Sequence, residues 1–238
     1  MKAMICSDFI TMKNSLGQLL ALNVLIAAII TVFSNSVLAG TAALAVMIPF
    51  MYVLSIAAYD DMNGWQCFRL TLPLSRRQVV AGRYASTIIV FVACALIALI
   101  YAFVFMGVCS LLPDGAVAEE LLFANNPVET VIATVGMTLF IALVVSAITL
   151  PLMLRFGMTK ATRVIPVVLV LLLAGAIYLA GEMGIEDQLA WMLETNGGEL
   201  AFFTPSLQLA MLGADVAALV LFVLSSLIAM RWYTARQF

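Results

Sequence analysis

The chain has 238 residues, of which 65% are hydrophobic and only 10% are charged, with a formal net charge of −2. Soluble domains carry about 25% charged residues, so eleven basic and thirteen acidic side chains are too few to cover a soluble globule of this length. The composition therefore excludes a soluble domain and indicates that lipid surrounds most of the protein. The longest basic run is Arg76-Arg77, so nothing indicates a nucleic-acid partner.

Six apolar segments are long enough to cross a membrane, which takes about 20 residues in a helix. They cover approximately residues 16–33, 41–58, 84–112, 130–154, 164–180 and 209–230. None of them contains Lys or Arg, which are costly at the centre of a membrane-spanning helix. We predict an all-α, polytopic membrane protein with six transmembrane helices in one bundle, and we treat residues 1–238 as a single transmembrane domain.

The basic residues predict the orientation, because Lys and Arg accumulate in short cytoplasmic loops. All eleven fall in the segments on one side of the six predicted spans, together with only three acids, Asp8, Asp60 and Asp61. The other ten acids lie on the opposite side or next to it. Both termini are therefore expected in the cytoplasm.

The first thirteen residues have an amphipathic pattern. Met1, Ile5, Phe9 and Met12 share one helical face, whereas Asp8 is expected on the rest of the surface. Such a segment is typical of a helix lying in the membrane interface. We predict a separate interfacial helix over residues 1–13, with a frayed polar terminus as the alternative.

Known catalytic and metal-binding patterns are missing from the sequence. There is no histidine, which removes the commonest general base and metal ligand. The phosphate-binding loop of many ATPases requires a Gly-Lys pair, and the sequence has none. We therefore expect no catalytic residue, no metal site and no cofactor in this chain.

The segment 59–83 is the most basic stretch between two predicted spans. Pro73 disfavours a helix before it, and Ser75 can cap a new helix that starts at Arg76. Val79 and Val80 would share one side of that helix. We predict a short helix crossing beneath the membrane, with an ordinary basic loop facing lipid headgroups as the alternative.

At these residues the sequence resembles a known family. A Gly64-Trp65 pair follows an acid-rich end of the second span, and the run L-P-L-S-R-R-Q-V-V-A-G-R-Y enters a long third span. With six spans and an N-terminal amphipathic segment, this order is similar to permease subunits of bacterial type-2 ATP-binding-cassette (ABC) exporters. Exporters of this kind move drugs, lipids or amphipathic toxin peptides.

The resemblance implies that the segment 59–83, called the coupling loop from here on, docks into a separate ATPase subunit, which would bind ATP and Mg. The residues implied in that contact are Asp60, Asp61, Gly64, Trp65, Leu72, Pro73, Leu74, Ser75, Arg76 and Arg77. It also implies a dimer of permeases, built from a second copy or a paralogue, in the bacterial cytoplasmic membrane. A non-transporting scaffold and a secondary transporter are the alternatives.

The transport path is less clearly marked. Uncharged polar residues of the first two spans are candidates for its lining: Asn23, Thr31, Tyr52 and Ser55. The alternative is that they form hydrogen bonds between helices. With 14 Met and 14 Phe, any cavity should be apolar and adaptable, which favours hydrophobic or amphipathic cargo. The outer segment 181–208, with aromatic and acidic residues, is expected either to dip into the outer interface or to form a solvated loop.

Overall fold

The computed structural model describes residues 2–62, 75–113, 118–182 and 205–235. These residues form six long α-helices and two short 3-10 segments, Glu119–Leu121 and Phe123–Asn125. The helices are α1 (Lys2–Ser34), α2 (Val37–Met62), α3 (Arg76–Ser110), α4 (Val128–Phe156), α5 (Met158–Glu182) and α6 (Pro205–Ala235). Within the described ranges the protein is therefore all-α.

Five of these helices contain a segment that is long and apolar enough to cross a membrane. The segments are Ser15–Ser34, Val37–Asp60, Arg76–Ser110, Val128–Phe156 and Met211–Thr234. They agree with five of the six predicted spans, and the protein is a multi-pass membrane protein. The remaining predicted span, 164–180, lies within α5 and stays a prediction.

The N-terminal segment corrects the prediction of a separate interfacial helix. Residues 2–34 form one uninterrupted helix, since no Pro or Gly breaks the chain before Gly17 and helix formation is cooperative. Asp8 also departs from the expected pattern, because it is buried between Met4 and Met12, one turn away on either side. This face packs against the bundle and not against lipid headgroups.

The start of α3 corrects a second prediction. A helix does begin at Arg76, but it continues without interruption to Ser110 and does not form a separate short helix beneath the membrane. No Pro separates Arg76 from the apolar residues that follow, and Val79 and Val80 are fully buried. The first turns of α3 are therefore continuous with the third span.

Helix α2 lies at the centre of the bundle, in contact with α1, α3, α4 and α5. The most extensive helix pair is α4 with α6, and α6 also packs on α3. Tyr84 of α3 and Ser225 of α6 share a hydrogen bond of 2.9 Å between their hydroxyls, and the Ser225 hydroxyl also donates to the carbonyl oxygen of Ala147 on α4. This polar contact links three helices inside an otherwise apolar core.

Two short connections require unusual backbone geometry. Asn35, between α1 and α2, has a φ of 49°, and Gly157, between α4 and α5, has a φ of 74°. A positive φ is easily adopted by Gly and tolerated by Asn. Gly157 is the single residue between α4 and α5. Both helices extend beyond the predicted ends of their spans.

Helices α1 and α2 approach each other closely at Gly40. A Cβ atom on this residue would lie 1.9 Å from the Thr31 hydroxyl oxygen and 2.8 Å from the carbonyl oxygen of Ala27. Small residues at helix crossings allow such contact in membrane proteins. Gly40 therefore sets the distance between the first two helices near the α1–α2 turn.

Candidate functional site

The coupling loop leaves the bundle at the end of α2 and returns at the start of α3. Asp60 and Asp61 lie in the last turn of α2, and Ser75 immediately precedes α3. Other residues predicted for the ATPase contact lie outside the described residues: Gly64, Trp65, Leu72, Pro73 and Leu74. The described part of the site consists of the two ends that hold this loop.

Ser75 caps α3 as the sequence predicted. The backbone N–H of Gln78 donates to the Ser75 hydroxyl at 3.2 Å, and the Ser75 N–H donates to the Gln78 side-chain oxygen, also at 3.2 Å. This reciprocal pair is a capping box, which satisfies backbone donors left free at a helix start. The position at which the coupling loop becomes α3 is thereby fixed.

Arg76 attaches this start to another helix. Its guanidinium donates to the carbonyl oxygen of Thr234, in the last turn of α6, at 2.8 Å. A cation near a helix C-terminus is favoured because the last carbonyl groups lack partners within the helix. The next residue, Arg77, is exposed. Ser75, Arg76 and Arg77 therefore lie together where α3 begins and α6 ends.

A buried ion cluster lies about two turns further along α3. One guanidinium nitrogen of Arg83 donates to Asp8 of α1 at 3.0 Å, and the other donates to Asp60 of α2. Their exposed fractions are only 2% for Arg83, 3% for Asp8 and 8% for Asp60. We call these three residues the ion cluster; it joins α1, α2 and α3.

The ion cluster is supported by further polar contacts. The Ser86 hydroxyl donates to the second oxygen of Asp8 at 3.0 Å, which partly offsets the excess of one negative charge. The hydroxyls of Ser15 on α1 and Tyr59 on α2 lie 2.5 Å apart and form a separate link between these two helices. Charges removed from water are stable only when paired and hydrogen-bonded, and for Asp8 the Ser86 hydroxyl is such a partner beside Arg83.

The ion cluster also borders the other half of the bundle. A cavity of about 20 Å³ is lined by Asp60 and Arg83 together with Met153 of α4 and Tyr233 of α6. That volume suffices for a single water molecule. Met158 of α5 also lines this cavity, so residues from all six helices lie in or beside the ion cluster.

The ion cluster was not predicted, because the charges of Asp8 and Arg83 favoured the polar surface of the cytoplasmic side. A signal was nevertheless present. Asp8 lies four residues from both Met4 and Met12, and Arg83 lies four residues after Val79. Residues four apart share a helical face, so each charged residue lies on an otherwise apolar stripe along its helix. Nothing in the sequence, however, indicated that the two stripes would face each other.

The candidate path residues lie mostly inside the bundle. Asn23, Thr31 and Tyr52 are buried, and Ser55 is half-buried. The Thr31 hydroxyl lies 2.7 Å from the hydroxyl of Tyr101 on α3, and the Asn23 side chain donates to the carbonyl oxygen of Leu19 at 2.7 Å. For Thr31 this is the interhelical bonding given above as the alternative. Their part in a transport path stays a prediction.

The arrangement offers mechanical linkage and no evident catalytic chemistry. Within the described ranges, no group of three or more His, Cys, Asp or Glu side chains could hold a metal ion. The charges of the ion cluster are directed at one another, so they hold helices together and leave no reactive group exposed. The site is best described as the anchorage of the coupling loop.

The sequence model of a protein family described as ABC-2 family transporter protein matches residues 3–234, nearly the whole chain. No curated protein and no solved structure matches the sequence significantly.

Proposed function

Because the chain belongs to the ABC-2 family of transporter proteins, we propose that it is the membrane-spanning permease subunit of an ATP-driven exporter. The family match over residues 3–234 carries this proposal. Permeases of this family generally work with an ATPase subunit and are themselves not catalytic. The missing Gly-Lys pair agrees with ATP and Mg being bound by such a partner.

The coupling loop is the proposed contact with the ATPase. Asp60 and Asp61 would lie at its first end, Gly64, Trp65, Leu72, Pro73 and Leu74 within it, and Ser75, Arg76 and Arg77 at its second end. The geometry of the two ends supports a mechanical role. Asp60 and Arg83 pair across the base of the loop, so a force on the loop would reach α2 and α3 together.

The ion cluster would carry that force further. Arg83 also binds Asp8, which adds α1 to the moving unit, whereas Arg76 attaches the start of α3 to α6. Allosteric motion passes through packed elements and polar networks that join them. We infer that nucleotide-driven movement of the ATPase reaches α1, α2, α3 and α6 through these two arginines.

The proposed setting is the bacterial cytoplasmic membrane with both termini in the cytoplasm. All eleven basic residues fall on the side of the coupling loop, which supports this orientation. A second copy or a paralogue would complete the membrane part. The cargo would be hydrophobic or amphipathic, since the described helices present mainly apolar side chains to one another. Amphipathic peptides are the first class to test.

The proposal is tested by purifying the tagged chain from its native membrane, identifying partners by mass spectrometry and measuring ATP hydrolysis. The test variant is Leu72→Ser with Leu74→Ser, inside the coupling loop. The matched control is Leu111→Ser with Leu112→Ser, two exposed leucines at the other end of α3. We expect an ABC ATPase subunit and its activity with the wild type and the control, and loss of both with the test variant.

Two results would contradict the proposal. Wild-type chain recovered without any ATPase subunit would favour a scaffold or a secondary transporter. Retention of the ATPase by the loop variant, at the wild-type ratio and with cargo-stimulated activity, would remove the coupling loop from the contact. Membrane levels of each variant, measured by immunoblot, separate loss of contact from loss of folded protein.

A further inference from the structure

A second group of charged residues lies outside the ion cluster, at the cytoplasmic-loop ends of α3 and α6. A cavity of about 250 Å³ is lined by Arg77 of α3 and by Leu227, Met230, Arg231 and Thr234 of α6. We propose that this cavity binds the phosphate-bearing headgroup of an anionic phospholipid. We call it the headgroup cavity.

The charges of the headgroup cavity indicate an anionic ligand. Arg77 and Arg231 are both exposed, and no acidic side chain of the described residues lines the cavity. Among the residues that the structure describes, neither guanidinium has a hydrogen-bond or ion-pair partner. Two like charges that share a cavity repel each other. A phosphate group between them would relieve this repulsion and accept hydrogen bonds from both.

The apolar part of the cavity favours a lipid over a free ion. Leu227 lies one turn before Arg231 along α6, with 53% of its surface exposed, and Met230 is half-buried. The membrane-spanning segments Arg76–Ser110 and Met211–Thr234 both terminate at this level. The cavity is therefore cationic at headgroup depth and apolar one turn deeper, which matches the headgroup and first acyl carbons of a phospholipid.

The cavity is preformed because its two walls are tied together. Arg76 donates to the carbonyl oxygen of Thr234 at 2.8 Å, directly between the helix that supplies Arg77 and the helix that supplies Arg231. Because the two helix ends are joined, the backbone needs little rearrangement to bring both arginines to one ligand. The proposal does not depend on transport, since the site needs only the two helices and a membrane that contains anionic lipid.

The test measures lipid binding to the purified chain in detergent by native mass spectrometry, using phosphatidylglycerol as the probe and phosphatidylcholine as the zwitterionic comparison. The variant is Arg77→Gln with Arg231→Gln. The matched control is Lys160→Gln with Arg163→Gln, which removes the same charge from two exposed positions of α5 outside the cavity. We expect the affinity of the variant for phosphatidylglycerol to be at least about tenfold lower than that of the wild type. The control should bind as the wild type does.

Several outcomes would overturn the proposal. Equal weakening in the variant and the control would mean general attraction to basic residues. Displacement of the lipid by inorganic phosphate at equal concentration would mean a free-phosphate site. Unchanged lipid binding in the variant would overturn the proposal whatever the ATPase recovery, and would leave Arg77 with its proposed role in the ATPase contact alone. Circular dichroism and gel filtration establish that each variant is folded, so a failure to bind is informative.

Discussion

Arg83 is the residue on which the ion cluster depends. Its single guanidinium pairs with two buried carboxylates from two other helices. Removing one partner of a buried ion pair leaves a charge without compensation, whereas removing all partners together is often close to neutral. A single substitution in the ion cluster should therefore destabilise the protein much more than the combined substitution of all three residues.

We expect Arg83→Met to lower the free energy of unfolding by about 3–5 kcal/mol, because Asp8 and Asp60 would remain buried without their cation. The measurement is thermal unfolding of the purified chain in detergent. Combining Arg83→Met with Asp8→Asn and Asp60→Asn should recover most of the lost stability. Failure of this combination to recover any stability would show that the pairing does not account for the loss.

The same triple variant can distinguish a structural role of the ion cluster from a role in coupling ATP hydrolysis to transport. If the ion cluster transmits movement of the coupling loop, the neutral variant should be folded and bind the ATPase, yet show less cargo-stimulated ATP hydrolysis. Full coupling in that variant would restrict the ion cluster to a structural role.

Gly40 makes a second prediction at the residue scale. Gly40→Ala should destabilise the protein by about 1–3 kcal/mol, since overpacking forces neighbouring groups apart. The Cβ would meet the backbone oxygen of Ala27, which cannot rotate away. Gly107→Ala on α3 is the matched control, because nothing lies within 4 Å of its added Cβ. Thermal unfolding that is equally affected by both substitutions would contradict this account.

Among the helices, α3 joins the end of the coupling loop to the ion cluster and to the third span. It begins at the Ser75 cap, carries Arg76, Arg77 and Arg83 within its first turns, and then crosses the membrane as far as Ser110. Because the helix is continuous, a displacement of its first turn moves the whole span. A separate coupling helix, as the sequence analysis predicted after Ser75, would have allowed a hinge at this point.

The cap gives a prediction for this helix. Ser75→Ala should remove one capping hydrogen bond, a loss of about 1 kcal/mol, and should raise amide hydrogen exchange at Gln78 about fivefold. Ser75→Asp retains an oxygen acceptor and should leave the exchange near the wild-type rate. Equal exchange in all three proteins would mean that the cap does not stabilise the start of α3.

For the whole molecule, orientation in the membrane is the property to test. In a variant free of native cysteines, Glu119→Cys should react with a membrane-impermeant maleimide in intact cells, because Glu119 lies on the predicted outer side. Lys160→Cys should react only after the membrane is permeabilised. Both side chains are exposed, so access alone does not explain a difference. The opposite labelling pattern would reverse the proposed topology.

Whole-molecule architecture also explains the many exposed apolar side chains. Leu171, Val104 and Val220 are at least half-exposed, which would be unfavourable in water over such a large surface. In a bilayer these faces contact lipid, and the helices satisfy their own backbone hydrogen bonds. The buried ion cluster and the small polar contacts then determine how the helices pack.

Features that depend on neighbours along the chain could be predicted from the sequence. Apolar runs predicted five spans that the structure contains, and Ser75 predicted the start of α3 at Arg76. These succeeded because helix length, hydropathy and capping are local properties. The resemblance at residues 59–84 likewise gave the family that matches residues 3–234.

How charges on different helices meet depends on the packing of the helices against one another. Arg83 binds partners 75 and 23 residues away along the chain, and Arg76 binds one 158 residues away. Such pairs depend on which faces pack together, and helical periodicity alone does not select among them. For the same physical reason, the ion cluster, the close approach at Gly40 and the headgroup cavity could not be read from the sequence.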